Sequence, residues 1–251
     1  MSFTLSEKEN ILNLYKDMRV TDVRDGMDWI GYHHYGSMSP EMRPLHRTRA
    51  IGFVNTSRYI PYDRPVPQGM IGEEYTEWKN WYYANICIQP WGLEGYVQKY
   101  DMFVVDQSGL NVGVCGSMWT LFGLKNGGVG YVIDGGVRDT DEIILQKTPV
   151  WCTQIAQTMD QARIQYENHE CKINCCGVCV NPGDLVVADG DGVIVVPQDI
   201  VYDVAKYATQ EMRSDKQTRR YFYVKLNMEL DDTVADSMDE AAVEKVVNSF
   251  K

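Results

Sequence analysis

The chain has 251 residues, 44% of them hydrophobic and 24% charged, with a formal net charge of −11. That length holds a sizeable core in one domain, and the composition excludes disordered and fibrous classes. The acidic balance argues against a nucleic-acid partner, whose phosphates need clustered Lys and Arg, and suits an enzyme that recruits a cation such as Mg²⁺.

The polar stretch through Asn10 lacks the apolar core of a signal peptide, and no run reaches the length of a membrane span. Seven cysteines, an odd number, fit reduced thiols. These features predict a cytoplasmic protein with no membrane partner. Ser6 followed by Glu9 resembles a capping box and opens a helix over 4–18, with Ile11, Leu12, Leu14 and Tyr15 on its apolar face. A short helix follows Thr21. The loop over 32–40 carries His33 and His34, which suit acid–base work near neutral pH or a plain surface pair. His46, beside Arg47 and Arg49, suits an anionic substrate or a salt-bridged surface.

Ile51–Val54 reads as a strand, and residues 63–69, with two prolines, as irregular chain. Residues 73–97 hold Tyr75, Trp78, Trp81, Tyr82 and Tyr83 and read as a partly helical insertion that covers the core or lines a pocket. Strands are predicted at 103–105, 112–115, 130–133 and 150–152, with helices over 116–124 and 139–145. Hairpin strands follow at 171–173 and 177–180, then a turn at 181–184. A second hairpin has arms at 185–189 and 193–197 around Gly190-Asp191-Gly192. A helix over about 198–213 and a charged tail close the chain. Asp189 and Asp191 are first of all turn residues. His169, Cys171, Cys175, Cys176 and Cys179 lack the paired Cys-x₂-Cys knuckles of structural zinc sites, so buried thiols are the better reading.

The stretch from Gly127 to Asp139 joins a Gly-rich turn, a buried strand, Gly135-Gly136 and then Arg138-Asp139 where strand gives way to helix. The glycines permit positive φ and close approach to a ligand. A cation beside an anion there suits a carboxylate or enolate on one side and a divalent metal on the other. A surface ion pair explains it equally well.

Together with Val104-Val105-Asp106, Gly116-Ser117-Met118-Trp119, Glu142-Ile143 and the run from Asn181 to Val193 ending at Pro197, that stretch resembles the RraA-like family. Val20 through Met27 agrees more weakly. The family contains class II 4-hydroxy-4-methyl-2-oxoglutarate/4-carboxy-4-hydroxy-2-oxoadipate aldolases and the RraA regulators of ribonuclease E. The resemblance implies an α/β fold, a β-rich sandwich related to the swivelling phosphohistidine (β/β/α) domain. It implies one domain over 1–251, with a family core at about 100–205. A divergent insertion would fill 28–100, and a charged tail 214–251 would follow a C-terminal helical extension. It further implies homotrimers or homohexamers with sites at subunit interfaces.

By the same resemblance, Asp139 holds Mg²⁺ or Mn²⁺ and Arg138 is the catalytic contact to pyruvate-like oxygens. The backbone at Gly116, Ser117, Met118 and Trp119 receives the substrate carboxylate. Ser117 stands where the family aldolases carry an acid. Glu142, one turn beyond Asp139, suits either the support of metal-bound water or the helix N-terminus itself, and Glu211 is the candidate for the carboxylate that the family draws from a neighbouring subunit. The implied activity is a divalent-metal-dependent lyase that cleaves a C–C bond of a 2-oxo acid, by retro-aldol cleavage or decarboxylation, through a stabilised enolate. The alternatives are a non-catalytic regulator like those of ribonuclease E, or a dehydratase or hydrolase of a bulkier carboxylate using His33 or His34.

Overall fold

The computed structural model describes residues 3–90 and 95–249. Helices α1 (Leu5–Tyr15) and α2 (Val20–Trp29) lead into strands β1 (Arg43–Pro44) and β2 (Ala50–Pro61) and helix α3 (Gly72–Asn85). The elements β3 (Asp101–Asp106), β4 (Gly113–Cys115), α4 (Ser117–Lys125), β5 (Gly130–Val137), α5 (Thr140–Leu145) and β6 (Val150–Ile155) follow. Then come β7 (Ile164–His169), the hairpins β8 (Ile173–Cys175)/β9 (Val178–Val180) and β10 (Leu185–Asp189)/β11 (Gly192–Val196), and helices α6 (Val201–Lys225) and α7 (Glu240–Ser249).

The main sheet runs β1-β6-β5-β3-β2-β10-β11, with β4 on β5 and β7 on the far end of β2. Strands β2, β3, β5 and β6 are parallel; β1, β7, β10 and β11 pair antiparallel. Strand alternation then sorts the side chains into layers. Val54, Met102, Val104, Val132, Trp151, Val186 and Val195 form one cluster inside the curled sheet. The residues between them face outward into two helix-covered layers. Phe103, Val105, Tyr131, Ile133 and Val137 pack with the ends of α3 and α5. Phe53, Leu185, Val187, Ile194 and Val196 pack with α1, α2 and α6.

The expected sandwich is therefore a nearly closed barrel. The segment after α2 spans the gap between the two edges. Val195 N donates to the Gly36 carbonyl (2.9 Å), Met38 N to the Val193 carbonyl (3.1 Å) and Arg43 Nη1 to the Asp191 carbonyl (2.9 Å). Trp151, buried on β6, sends its indole N–H across to the Asp189 carbonyl (2.9 Å).

Several expectations need correction. The first capping box is Thr4 with Glu7, not Ser6 with Glu9: Thr4 has extended backbone, and each side chain reaches the other's amide. The segment 28–100 is not simply an insertion, because β2 lies between β3 and β10 in the sheet and the closing segment comes from the same stretch. Within it α3 is the covering element; residues 91–94 lie outside the described residues. Helix α6 continues to Lys225, beyond the expected end near 213, because no Gly or Pro interrupts it. A further helix, α7, stands in the expected tail. Strand β7 is mostly polar and gave no hydrophobic run to read. No helix among the described residues is long and apolar enough to cross a membrane.

Trp151→Phe keeps an aromatic ring in the interior but leaves a small gap and removes the cross-barrel hydrogen bond, and should lower stability by about 1–3 kcal/mol. Trp151→Ala should cost about 3–5 kcal/mol. Urea unfolding followed by circular dichroism measures both; an unchanged midpoint for Trp151→Phe would show that the hydrogen bond contributes nothing.

Candidate active site

Arg138 and Asp139 leave the end of β5 beside β4, where Arg138 N donates to the Cys115 carbonyl (3.0 Å). Positive φ falls on Asp139 itself (55°), the N-cap of α5, a conformation that Asp tolerates better than most residues. Gly135 also has positive φ (156°), and Gly136 serves close packing. A Cβ on Gly136 would lie 2.7 Å from the Ala156 Cβ and 2.8 Å from the Val112 amide.

The Asp139 carboxylate ties three elements together. Its Oδ1 accepts from Arg138 Nε (3.1 Å), and its Oδ2 accepts from the Ser117 amide at the start of α4 (3.2 Å). Gly116, the N-cap of α4, has no side chain to cap the helix, so Asp139 supplies the anion from another strand. Gly116 also makes room for it: a Cβ there would stand 2.5 Å from Asp139 Oδ2. The Arg138 stem crosses Gly113, whose Cβ would lie 2.9 Å from Arg138 Cδ. Gly113 escaped the sequence reading, and a glycine inside a strand was the available signal.

Both side chains reach solvent, Arg138 30% exposed and Asp139 35%. The Nη groups of Arg138 make no hydrogen bond among the described residues, and the Met118 amide, at the second position of α4, has no intrahelical acceptor. A cation and a helix N-terminus thus lie on either side of one carboxylate at the solvent-reaching surface, a combination that suits a carboxylate or a developing enolate. Trp119 follows at the third helical position and packs toward the outer core. The Ser117 hydroxyl occupies the position expected to be acidic. Cys115, beneath, is buried; desolvation pushes its thiol well up, so it stays protonated and is a poor nucleophile.

Exposed apolar side chains stand on α4 and α5 and at and after the end of β6. Met118 is 80% exposed and Leu145 82%, with Leu121, Phe122, Ile144, Ile155 and Met159 also exposed. A buried network escaped the sequence reading entirely. Asp160 accepts from Tyr83 Oη (2.6 Å), Cys87 Sγ (3.3 Å) and Gln89 Nε2 (3.3 Å), and Gln89 Nε2 also lies 3.3 Å from the Val114 carbonyl. It fastens the end of α3 against β4. Burial raises the Asp160 carboxyl above its usual range.

Other candidates lie apart from this site. His33 pairs with Asp28 on the α2 side (3.4 Å), and His46 Nε2 donates to the Thr148 carbonyl (3.0 Å). Glu211 accepts from Trp29 Nε1 (2.9 Å) on the α2–α6 face, away from Asp139 of the same chain. Glu142 is exposed in the first turn of α5. The cysteines of β8 and β9 diverge: Cys175 enters the barrel core and Cys179 faces out. Asp189 accepts from the Val20 and Asp191 amides (both 2.9 Å) and so orders its turn. Tyr82 is buried and Trp81 exposed, so α3 packs mainly as a cover.

A family model described as RraA-like, aldolase/RraA, matches residues 20–195. Protein DlpA of Legionella pneumophila is 33% identical over 150 residues, 56% of this chain and 24% of that protein. A 4-hydroxy-4-methyl-2-oxoglutarate aldolase of Thermus thermophilus is 28% identical over 98 residues, 39% of this chain and 58% of that one. The chain thus spans about a quarter of the first relative's length and little more than half of the second's. Among solved structures, Streptomyces coelicolor RraAS2, described as an unusual member of the RNase ES inhibitor RraA family, shares the fold. Its TM-score is 0.65 at 22% identity, covering 84% of this chain and 96% of that one.

Gly116→Ala should lower stability by about 1–3 kcal/mol, because the new methyl group and Asp139 claim the same space. Urea unfolding tests this. An unchanged midpoint would mean that the contact between Gly116 and Asp139 has slack.

Proposed function

The chain belongs to the RraA-like family, and from that premise we propose a divalent-metal-dependent lyase that cleaves a carbon–carbon bond of a 2-oxo acid. The observation that carries this reading is the Asp139 carboxylate bridging the Arg138 guanidinium and the α4 N-terminus. The aldolase name of the Thermus relative supports the reaction class.

In this reading the substrate carboxylate lies at the α4 N-terminus, where the Met118 amide and the positive end of the helix receive it. The Arg138 Nη groups turn toward the keto oxygen. As the bond breaks, its electron pair moves onto that oxygen, and a cation already in place stabilises the charge as it develops. Asp139 holds Arg138 by Nε, which leaves the guanidinium edge presented to the substrate.

The residues fit a metal ion sparsely. Among the described residues no three His, Cys, Asp or Glu side chains gather to hold one. Asp139 offers one solvent-reaching carboxylate, and Ser117 a hydroxyl next to it. That set suits Mg²⁺, which keeps several waters and takes few protein ligands. Bound at Asp139, Mg²⁺ or Mn²⁺ would act as a Lewis acid toward the keto oxygen.

The reading includes a homotrimer or homohexamer in the cytoplasm. The exposed Met118 on α4 and Leu145 on α5 support a neighbouring copy there. Seven unpaired thiols support a reducing compartment. A second reading, a regulator like those of ribonuclease E, is favoured by Ser117 in place of an acid, which leaves the chain short of metal-binding charge.

A coupled pyruvate assay over a panel of 2-oxo acids with Mg²⁺ or Mn²⁺ separates the two readings. Turnover that Arg138→Ala reduces by about 100-fold or more, and that chelation abolishes, is the outcome for the lyase. No pyruvate from any member of the panel would sink the lyase and leave the regulator. Leu145→Glu should shift the assembly toward monomers in sedimentation velocity; unchanged sedimentation would remove this surface from the interface.

A further inference from the structure

Arg138 rests on β4 at two points. Its amide donates to the Cys115 carbonyl (3.0 Å), and its stem passes over Gly113. Strand β4 is three residues long and, among the described residues, pairs with β5 alone, with a register shift between Gly113 and Cys115. The ladder holds so short a strand weakly, and its other backbone edge needs partners of its own.

Two groups from distant segments supply them. The Gly113 amide donates to the Thr158 carbonyl (3.3 Å), and the Val114 carbonyl accepts from Gln89 Nε2 (3.3 Å). Gln89 is buried, and the same nitrogen lies 3.3 Å from Asp160 Oδ2, so its two N–H groups serve one acceptor each. Tyr83 on α3 and Cys87 just after it donate to that carboxylate as well (2.6 and 3.3 Å). Gln89 thus ties the middle of β4 to an anchor that stands two residues beyond Thr158. The Thr158 carbonyl and Arg138 Cδ both abut Gly113, where a Cβ would lie 2.6 and 2.9 Å from them. A shift of β4 therefore moves both supports of Arg138 together.

We propose that Gln89 is a positioning residue for Arg138, acting through β4. It bonds to neither Arg138 nor Asp139; it fixes the strand on which the arginine lies. Without its amide the Val114 carbonyl is buried with no side-chain donor, and β4 is released from Asp160. The role in turnover rests on the lyase reading above, whereas the placement of Arg138 can be read without a substrate.

Phenylglyoxal labelling of the full chain reads that placement, with modification of Arg138 followed by peptide mass spectrometry and the exposed Arg47 as internal reference. Gln89→Met should raise the rate at Arg138 relative to Arg47 by roughly two- to tenfold, the factor that matches one lost hydrogen bond. Gln89→Asn, one methylene short of both acceptors, is the second variant and should behave alike. Tyr83→Phe removes another donor to Asp160 but leaves Gln89 on β4, and should keep the parent ratio. In the coupled pyruvate assay both Gln89 variants should lower kcat by roughly ten- to hundredfold with a smaller change in KM. An unchanged labelling ratio or a parent-level kcat in a Gln89 variant that circular dichroism shows to be folded would overturn the proposal. So would an equal rise in labelling for Tyr83→Phe, the mark of general loosening. No turnover by the parent protein would sink the lyase reading alone and leave labelling to decide the placement.

Discussion

Trp151 lies inside the barrel with its indole N–H on the Asp189 carbonyl, so the strand beside the candidate site is fastened to the hairpin across the barrel. This contact belongs to a wider constraint. A sheet that curls until its edges nearly meet must send every second side chain of each strand inward. The inward row here is almost wholly Val, Met, Ala and Trp. Once that row is buried, the alternate row faces out and needs cover. Helices α1, α2 and α6 cover one side, and the ends of α3 and α5 cover the other. The site lies on the second side, where β4 and β5 end and α4 and α5 begin.

Asp139 sets the charge pattern of that junction. One carboxylate caps a helix that lacks its own cap and holds an arginine by its inner nitrogen. The terminal nitrogens of the arginine make no hydrogen bond among the described residues. The same economy sets a tension: both Asp139 oxygens already accept hydrogen bonds, so an ion there competes with Ser117 N or with Arg138. An acid at position 117 would add charge beside Asp139. Serine leaves the junction closer to neutral, which bears on metal affinity more than on the geometry of the pair.

Much of the outer architecture was legible in the chain. The hairpin around Gly190-Asp191 announces itself by two apolar runs separated by turn residues, and Asp189 pairs with Gly192 as that pattern requires. The helix after Gly116 and the buried strand before Arg138 were equally clear. Strand β7 was not, because it pairs at the edge of β2 and keeps its polar residues near solvent. The central place of β2 was also hidden. Its neighbours come from residues 101–106 and 185–188, and strand order is a long-range property that local periodicity does not carry. The Asp160 network and the buried Asp101 carboxylate were invisible for a related reason. A buried acid is recognised by the groups that fold around it, and some of those lie far off in sequence: Gln89 is 71 residues from Asp160, and Asn55 and Lys8 are 46 and 93 residues from Asp101.

The sequence by itself determined the periodicity of the elements, their turns, and the adjacency of Arg138 and Asp139. Those features are encoded within a few residues, where backbone geometry and side-chain alternation act directly. Only the tertiary structure decided what the pair does. It set Asp139 against an uncapped helix 22 residues upstream, gave positive φ to Asp139 as well as to Gly135, and left the Arg138 terminal nitrogens without a hydrogen bond among the described residues. Those outcomes depend on which helix end meets which strand end once the barrel closes, and burial of the interior row makes that choice.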